Sequence, residues 1–189
     1  MAGRNAVAAV KAFTGPIQRA LTCFAHGRVS VDSYDPESEG ILQFNRADDV
    51  ALNGPGEISL SVAMRYRIVK TRSLASPGKP WKVSTTGWIY ALKAGGAAVA
   101  DFHWHPTITP QIPFPHVHAS SDRERRHLPT GRVLIEDLLT LAVECGAQPA
   151  EPEKWEGIRA RNLENFGKGA TWGFKAPGSL VQYPGDLPH

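Results

Sequence analysis

The strongest constraint on the fold is a long alternation of apolar and polar residues in the middle of the chain. From Ile58 to Ile68 every second residue is apolar, and the residues between them include Arg65 and Arg67. Side chains two residues apart in a strand point to the same side of a sheet. The segment from Glu57 to Thr71 is therefore predicted to be a half-buried strand with both arginines on its polar side.

The segments that follow extend this strand into a sheet. Residues 81–94 form a second strand pattern that ends at Gly95-Gly96, a pair typical of a tight hairpin, and residues 97–105 form a third. The prolines between 106 and 115 exclude a central strand, because proline cannot donate a hydrogen bond to its neighbour. Residues 115–119 are then expected to return as a fourth strand of an antiparallel meander.

The flanking regions suggest helices and short strands. Residues 6–24 have a helical composition, but Gly15-Pro16 predicts either two short helices or one that begins after Pro16. Thr130 is a candidate N-cap for a helix over 132–145, and a second helix is expected over 152–166. Short strands are expected at 28–31 and 41–44.

Together these elements predict an α+β fold, with a central antiparallel sheet of about four to six strands packed on one face by helices. Residues 1–166 are expected to form a single domain, whose first 26 residues are a helical segment. Residues 167–189 read as a Gly/Pro-rich tail that covers the domain or contacts a partner subunit.

Composition narrows the class of protein. Of the 189 residues, 42% are hydrophobic and 21% are charged, as in ordinary soluble domains, and no apolar run is long enough for a membrane helix. Cys23 and Cys145 lie far apart, which argues against a disulfide framework and favours the cytoplasm. A net charge of +3 permits nucleic acid as a partner without requiring it.

Two His-x-His pairs are the main candidates for chemistry. His103 and His105 end the third strand, and His116 and His118 form the fourth. Each pair presents both rings on one face of its strand, and pairing of the two strands would bring all four together beside Asp101. Histidine titrates near neutral pH and is a common metal ligand, so this face is the predicted functional site.

Three functions are compatible with this site. The first is a metal-independent ribonuclease on a basic sheet face, with histidines as acid and base and arginines on the phosphate. It needs no cofactor, and its candidate catalytic residues are His103, His105, His116, His118, Arg65 and Arg67. Its candidate substrate-binding residues are His127, Arg126, Thr130 and Arg132, with the amides at Thr130-Gly131 forming a helix N-terminus.

The second interpretation is a histidine-ligated metal-binding protein or metalloenzyme. One divalent transition metal, such as Zn²⁺, would be its cofactor. The candidate ligands are His103, His105, His116, His118 and Asp101. The third interpretation is a non-catalytic interaction module.

A family resemblance favours the first interpretation. The segments Met64 to Arg67, Trp88 to Tyr90, Phe102 to Pro106 and Phe114 to His118, followed by a Leu/Ile-rich helix, resemble the toxin half of a small bacterial toxin-antitoxin family over residues 60–145. The resemblance implies ribonuclease-like activity through the four paired histidines. The resemblance makes RNA and an antitoxin-like protein candidate partners. A second copy of the chain is a further candidate partner, and no membrane is expected.

Overall fold

The computed structural model describes residues 2–70, 78–106, 112–118 and 127–169. Its strands are β1 (Ala2–Gly3), β2 (Val29–Val31), β3 (Glu39–Phe44), β4 (Val50–Ala51), β5 (Ile58–Lys70), β6 (Trp81–Ala94), β7 (Ala97–Trp104), β8 (His116–His118) and β9 (His127–Pro129). Its helices are α1 (Ala6–Thr22), α2 (Ile135–Glu144) and α3 (Pro152–Gly169).

The described strands form one antiparallel sheet with the order β2-β3-β5-β6-β7-β8-β9. Strand β1 pairs with β6, and β4 pairs with β5. The predicted α+β class and the meander from β5 to β8 are confirmed, but the predicted strand number is too low. Strands β1, β4 and β9 were not predicted, and β1 and β4 have only two residues each, too few to show an alternating pattern.

The core lies on the face of the sheet that carries the apolar side chains of β5. Helix α1 packs on β5 and β6, and α2 and α3 pack against α1. Tyr66, Tyr90 and Leu92 are fully buried on this face, together with Leu138 and Leu139 of α2. The opposite face of the sheet, called the outer face below, carries Arg65, Arg67 and the polar residues of β7.

Helix α1 corrects the prediction of a break at Gly15-Pro16, because it runs unbroken through Pro16. The Asn5 side chain caps its first turn by accepting the Ala8 N–H at 2.8 Å. Pro16 itself is buried in the helix interface. Burial of the apolar side of α1 outweighs the hydrogen bond that a proline removes from a helix interior.

Helix α2 starts at Ile135, so the prediction of Thr130 as its N-cap is wrong. Leu134 occupies the cap position with extended backbone angles, and its N–H donates to the Asp137 carboxylate at 2.8 Å. The Asp137 side chain at the third helical position thus satisfies the N–H of the cap residue, and its negative charge is favourable near a helix N-terminus. Helix α3 runs past its predicted end at 166, and residues 170–189 of the predicted tail lie outside the described residues.

A buried polar contact joins the three helices. The Asn162 side-chain Nδ2 of α3 donates to Glu136 Oε1 at 2.7 Å and to the Pro16 carbonyl oxygen at 3.3 Å. Burial raises the pKa of the Glu136 carboxyl, and the hydrogen bond from Asn162 offsets part of that rise. The contact ties α3 to α1 and α2 with directional bonds.

Gln18 of α1 occupies hydrogen-bonding groups at the β2 edge of the sheet. Its Oε1 accepts the Val29 N–H at 2.8 Å, and its Nε2 donates to the Gly27 carbonyl at 3.0 Å. One amide side chain therefore satisfies a donor of β2 and an acceptor two residues before that strand begins. In the described part of the chain, no helix combines the length and apolar character needed to span a membrane.

Candidate metal centre

The register of β7, β8 and β9 brings the predicted histidines together on the outer face. His103 pairs with His116, and Asp101 pairs with His118. His118 in turn pairs with His127 of β9. The chain after the proline-rich segment thus folds back as predicted, and the two His-x-His pairs share one face of the sheet.

The rings of this histidine cluster, His103, His105, His116, His118 and His127, are in mutual contact. The ring centroids of His103 and His118 are 4.4 Å apart, and those of His118 and His127 are 4.5 Å apart. His116 lies between the others, with its centroid 4.7 Å from that of His127 and 5.4 Å from that of His105. The cluster therefore extends over three adjacent strands.

Three members of the cluster have the geometry of a ligand set. One ring nitrogen each of His103, His116 and His118 lies within 4.8 Å of the other two. Tetrahedral ligands at 2.0–2.1 Å from Zn²⁺ would be about 3.3 Å apart, so small side-chain rotations would close the set around an ion. Among the described residues, neither Asp101 nor His105 belongs to this convergent group, although both were predicted as ligands.

His116 is the best-defined ligand of the three. Its side chain is fully buried, and its Nδ1–H donates to the Phe114 carbonyl oxygen at 3.0 Å. This hydrogen bond leaves the lone pair on Nε2, which is buried and has no hydrogen-bond partner among the described residues. An unsatisfied buried polar atom costs about 1–3 kcal/mol, and a metal ion is one group that would satisfy it.

The electrostatics of His116 also favour the neutral, metal-binding form. Burial lowers the pKa of His116, because an imidazolium would lose its hydration there. The hydrogen bond to Phe114 opposes this shift, while the neighbouring rings of His127, His118 and His105 lower the pKa further. The lowered pKa favours the neutral ring, the form that metal coordination requires.

A local irregularity in β6 supports the site from the neighbouring strand. The register of β5 and β6 shifts after Arg65, so that Thr86 is an extra residue beside Gly87. A Cβ atom on Gly87 would lie 2.8 Å from the Trp104 carbonyl oxygen, which is too close for any side chain. Glycine thus permits β7 to approach β6 closely at the residue that separates His103 from His105.

The two predicted arginines of β5 are engaged by an acidic residue of β3. Arg65 and Arg67 lie on the outer face, but both form ion pairs with Glu39 of β3, at 3.2 Å and 3.9 Å. Glu39 also accepts a hydrogen bond from the Thr86 hydroxyl of β6 at 2.7 Å, so its carboxylate reaches across β5 and engages both guanidiniums there. Arg126 lies outside the described residues.

Of two further predicted substrate-binding residues, one lies on the other face of the sheet and one is bonded to the residue that precedes His116. The Arg132 guanidinium lies 5.8 Å from the Trp88 ring centroid and 4.9 Å from that of Phe166. Trp88 belongs to the core, so Arg132 is on the opposite side of the sheet from the histidines. Thr130 is held by a main-chain hydrogen bond from its N–H to the Pro115 carbonyl at 2.8 Å, rather than at a helix N-terminus.

The structure adds residues that the sequence did not indicate. Every residue has a main-chain carbonyl, so the sequence could not indicate that the Phe114 carbonyl accepts a hydrogen bond from His116. Trp104 donates its indole N–H to the Pro113 carbonyl at 3.1 Å and thereby anchors the segment before β8. Its position between two histidines was the only sequence signal for a supporting role.

Comparisons of the chain with protein-family models, curated proteins and solved structures gave no match. A function for this protein therefore has to be inferred from the geometry of the histidine cluster.

Proposed function

We propose that the protein binds one divalent transition-metal ion, with Zn²⁺ as the leading candidate, through His103, His116 and His118. The observation that carries the proposal is the buried Nε2 atom of His116, which has no hydrogen-bond partner among the described residues. Two more imidazole nitrogens lie within 4.8 Å of the ligand atom of His116. Metal-ligating histidines commonly donate their second ring N–H to a carbonyl, as His116 does to Phe114.

The ligand set fits a metal centre that performs chemistry. As whole residues His103 and His118 are partly exposed and His116 is buried, but both ring nitrogens of His118 and the Nε2 atom of His116 are buried, so at least two of the three ligand atoms lie beneath the surface of the cluster. Three protein ligands leave a coordination position for water or substrate, unlike the closed four-ligand sites of structural zinc. Three neutral ligands also leave the ion its full charge, which acidifies a bound water.

His105 and His127 would flank such a centre without belonging to the ligand set. The His127 ring lies 4.5 Å from that of His118, and the His105 ring lies 5.8 Å from that of His103, measured between centroids. We assign them to the surroundings of the open coordination position, where an imidazole can hydrogen-bond to a bound water or substrate.

Metal analysis and calorimetry test the proposal. Purified protein without an affinity tag should bind about one equivalent of Zn²⁺ or Co²⁺, and Co²⁺ should give the visible spectrum of a low-coordinate nitrogen-ligated ion. The triple variant of His103, His116 and His118 to asparagine should lose both. Equal metal binding by the triple variant and the wild type would rule out this site.

Metal-independent RNA cleavage is the second candidate function, and the resemblance to ribonuclease-like toxins supports it. The rings of His103 and His118, 4.4 Å apart between centroids, supply two neighbouring groups for acid and base catalysis. The ion pairs of Arg65 and Arg67 with Glu39 weigh against it, because those guanidiniums are already engaged.

The two functions differ in their response to chelation. Under the second candidate, the protein cleaves RNA in excess EDTA, and its expression arrests growth unless an antitoxin-like partner is co-expressed. If the protein is instead a metalloenzyme, any activity is lost with EDTA and returns with added metal. Cleavage that is unchanged by EDTA and abolished by His118→Ala would establish the second function in place of the first.

A further inference from the structure

The segment before β8 is held by three successive main-chain acceptors. The Pro113 carbonyl accepts the Trp104 indole N–H at 3.1 Å. The Phe114 carbonyl accepts the His116 Nδ1–H at 3.0 Å, and the Pro115 carbonyl accepts the Thr130 N–H at 2.8 Å. Pro113 and Pro115 have no N–H groups to donate, so main-chain hydrogen bonds hold this segment mainly through its carbonyl oxygens.

The Trp104 indole is the rigid member of this set. Its side chain is buried on the core face, with its ring centroid 4.6 Å from that of Trp88. Its backbone is held against β6, where Gly87 leaves room for the Trp104 carbonyl. An indole fixed in this way presents its N–H from one direction, so it fixes the Pro113 carbonyl in turn.

The hydrogen bond from Trp104 lies one peptide unit from the hydrogen bond that orients His116. Rotation of the peptide between Pro113 and Phe114, or of the one that follows, would move the Phe114 carbonyl away from His116 Nδ1. Without that acceptor, the His116 proton can reside on either ring nitrogen, and protonation of Nε2 removes the lone pair that a metal needs.

We propose that Trp104 is a positioning residue for the metal centre: it acts from the opposite face of the sheet, through Pro113 and Phe114, on the orientation and tautomer of His116. The inference rests on the proposed metal-binding function for its effect on affinity. The effect on the His116 tautomer does not depend on that function and can be measured in metal-free protein.

The first test is Trp104→Phe, which keeps an aromatic ring against Trp88 and removes the N–H donor. The Kd for Zn²⁺ should rise by about 10-fold or more, within the range of roughly 10–100-fold typical of lost supporting hydrogen bonds around metal ligands. Trp155→Phe is the matched control, since Trp155 is buried against Phe24 in a different part of the core. It should lower stability without changing the Kd.

The second test reads the His116 ring directly in the metal-free protein by ¹⁵N NMR. The wild type should carry its ring proton on Nδ1, and Trp104→Phe should show a mixture of both tautomers. Should Trp104→Phe fail to fold, benzothienylalanine at position 104 keeps the bicyclic shape while replacing the N–H by sulfur, and the same mixture is expected.

The outcomes separate the two proposals. If the wild type binds no metal, the proposed function fails, while a tautomer change in Trp104→Phe still supports the positioning role. If the wild type binds Zn²⁺ and the donor-free variants show an unchanged Kd and an unchanged tautomer, the positioning role is overturned and the metal centre stands. A loss of affinity equal to that of Trp155→Phe would also overturn it.

Discussion

Replacement of His116 by asparagine is the sharpest perturbation of the histidine cluster. The asparagine amide can reach the position of the imidazole Nδ1 and donate to the Phe114 carbonyl, which accepts from His116 at 3.0 Å. It has no counterpart of Nε2, the buried atom proposed to bind metal. The substitution therefore removes a ligand and retains the local hydrogen bond.

The expected loss of affinity follows from the number of ligands. Structural zinc sites with four ligands bind with about 10–16 kcal/mol, or roughly 2.5–4 kcal/mol per ligand. Loss of one of the three ligands should thus raise the Kd by about 10²–10³-fold. At a free Zn²⁺ concentration of about 1,000 times the wild-type Kd, the metal stabilises the wild type by about 4 kcal/mol and the variant by only about 0.4–1.4 kcal/mol.

Thermal unfolding with and without Zn²⁺ measures this difference. For a chain of this size, each kcal/mol changes the Tm by roughly 2–4 °C, so Zn²⁺ should raise the Tm by about 8–16 °C for the wild type and by about 1–6 °C for His116→Asn. In EDTA, the variant should lie within about 1 kcal/mol of the wild type, because losing the unsatisfied Nε2 offsets the lost packing.

A matched control uses a histidine outside the cluster. His26 is exposed and precedes β2, at the opposite edge of the sheet from β8 and β9. His26→Asn should keep the full Zn²⁺ response. An equal Tm response of His116→Asn and His26→Asn would refute the assignment of His116 as a ligand.

Two further substitutions test the scaffold of the site and the helix contact. Gly87→Ala places a methyl group 2.8 Å from the Trp104 carbonyl oxygen. It should lower the free energy of unfolding, measured by chemical denaturation, by about 1–3 kcal/mol and weaken Zn²⁺ binding. The control is Gly157→Ala in α3, where no atom lies within 4 Å of the added methyl group, and it should leave the free energy of unfolding unchanged or raise it. Glu136→Gln keeps an acceptor for Asn162 and removes a buried ionisable group. Because the pKa of Glu136 is raised in the folded state, the wild type loses stability as pH rises above about 4.5, whereas the glutamine variant does not lose this contribution. The glutamine variant should have the higher Tm at pH 7, a gain that disappears as pH falls below 4.5, and a gain independent of pH would contradict this reasoning.

The sheet was predictable from the sequence wherever a strand was long enough to show its period. Strands β5, β6 and β7 match the segments expected at 57–71, 81–94 and 97–105 to within one residue at each end. The unbroken α1 was not predictable, since the local cost of Pro16 is visible in the sequence and the compensating burial is not. The start of α2 was missed because its N-cap position is occupied by Leu134, whose side chain cannot accept a hydrogen bond.

The histidine face was predictable because a two-residue period fixes the side of the sheet to which a side chain points. The direction of a long side chain within that face was not. Arg65 and Arg67 are on the predicted side, yet Glu39, a residue far from them in sequence, determines where their guanidiniums lie. The Arg132 guanidinium lies over the Trp88 ring on the core face of the sheet, and no local sequence pattern indicated that position.

The contact between Gln18 and the outermost strand has a consequence for how the sheet meets other molecules. An open strand edge can pair with another chain, which leads to aggregation or strand exchange. Because the Gln18 amide already bonds Gly27 and Val29, an incoming strand would have to displace a helix side chain before it could pair there. Gln18 thus blocks strand pairing at the β2 edge of the sheet. Gln18→Ala should therefore promote self-association through β2 at high protein concentration.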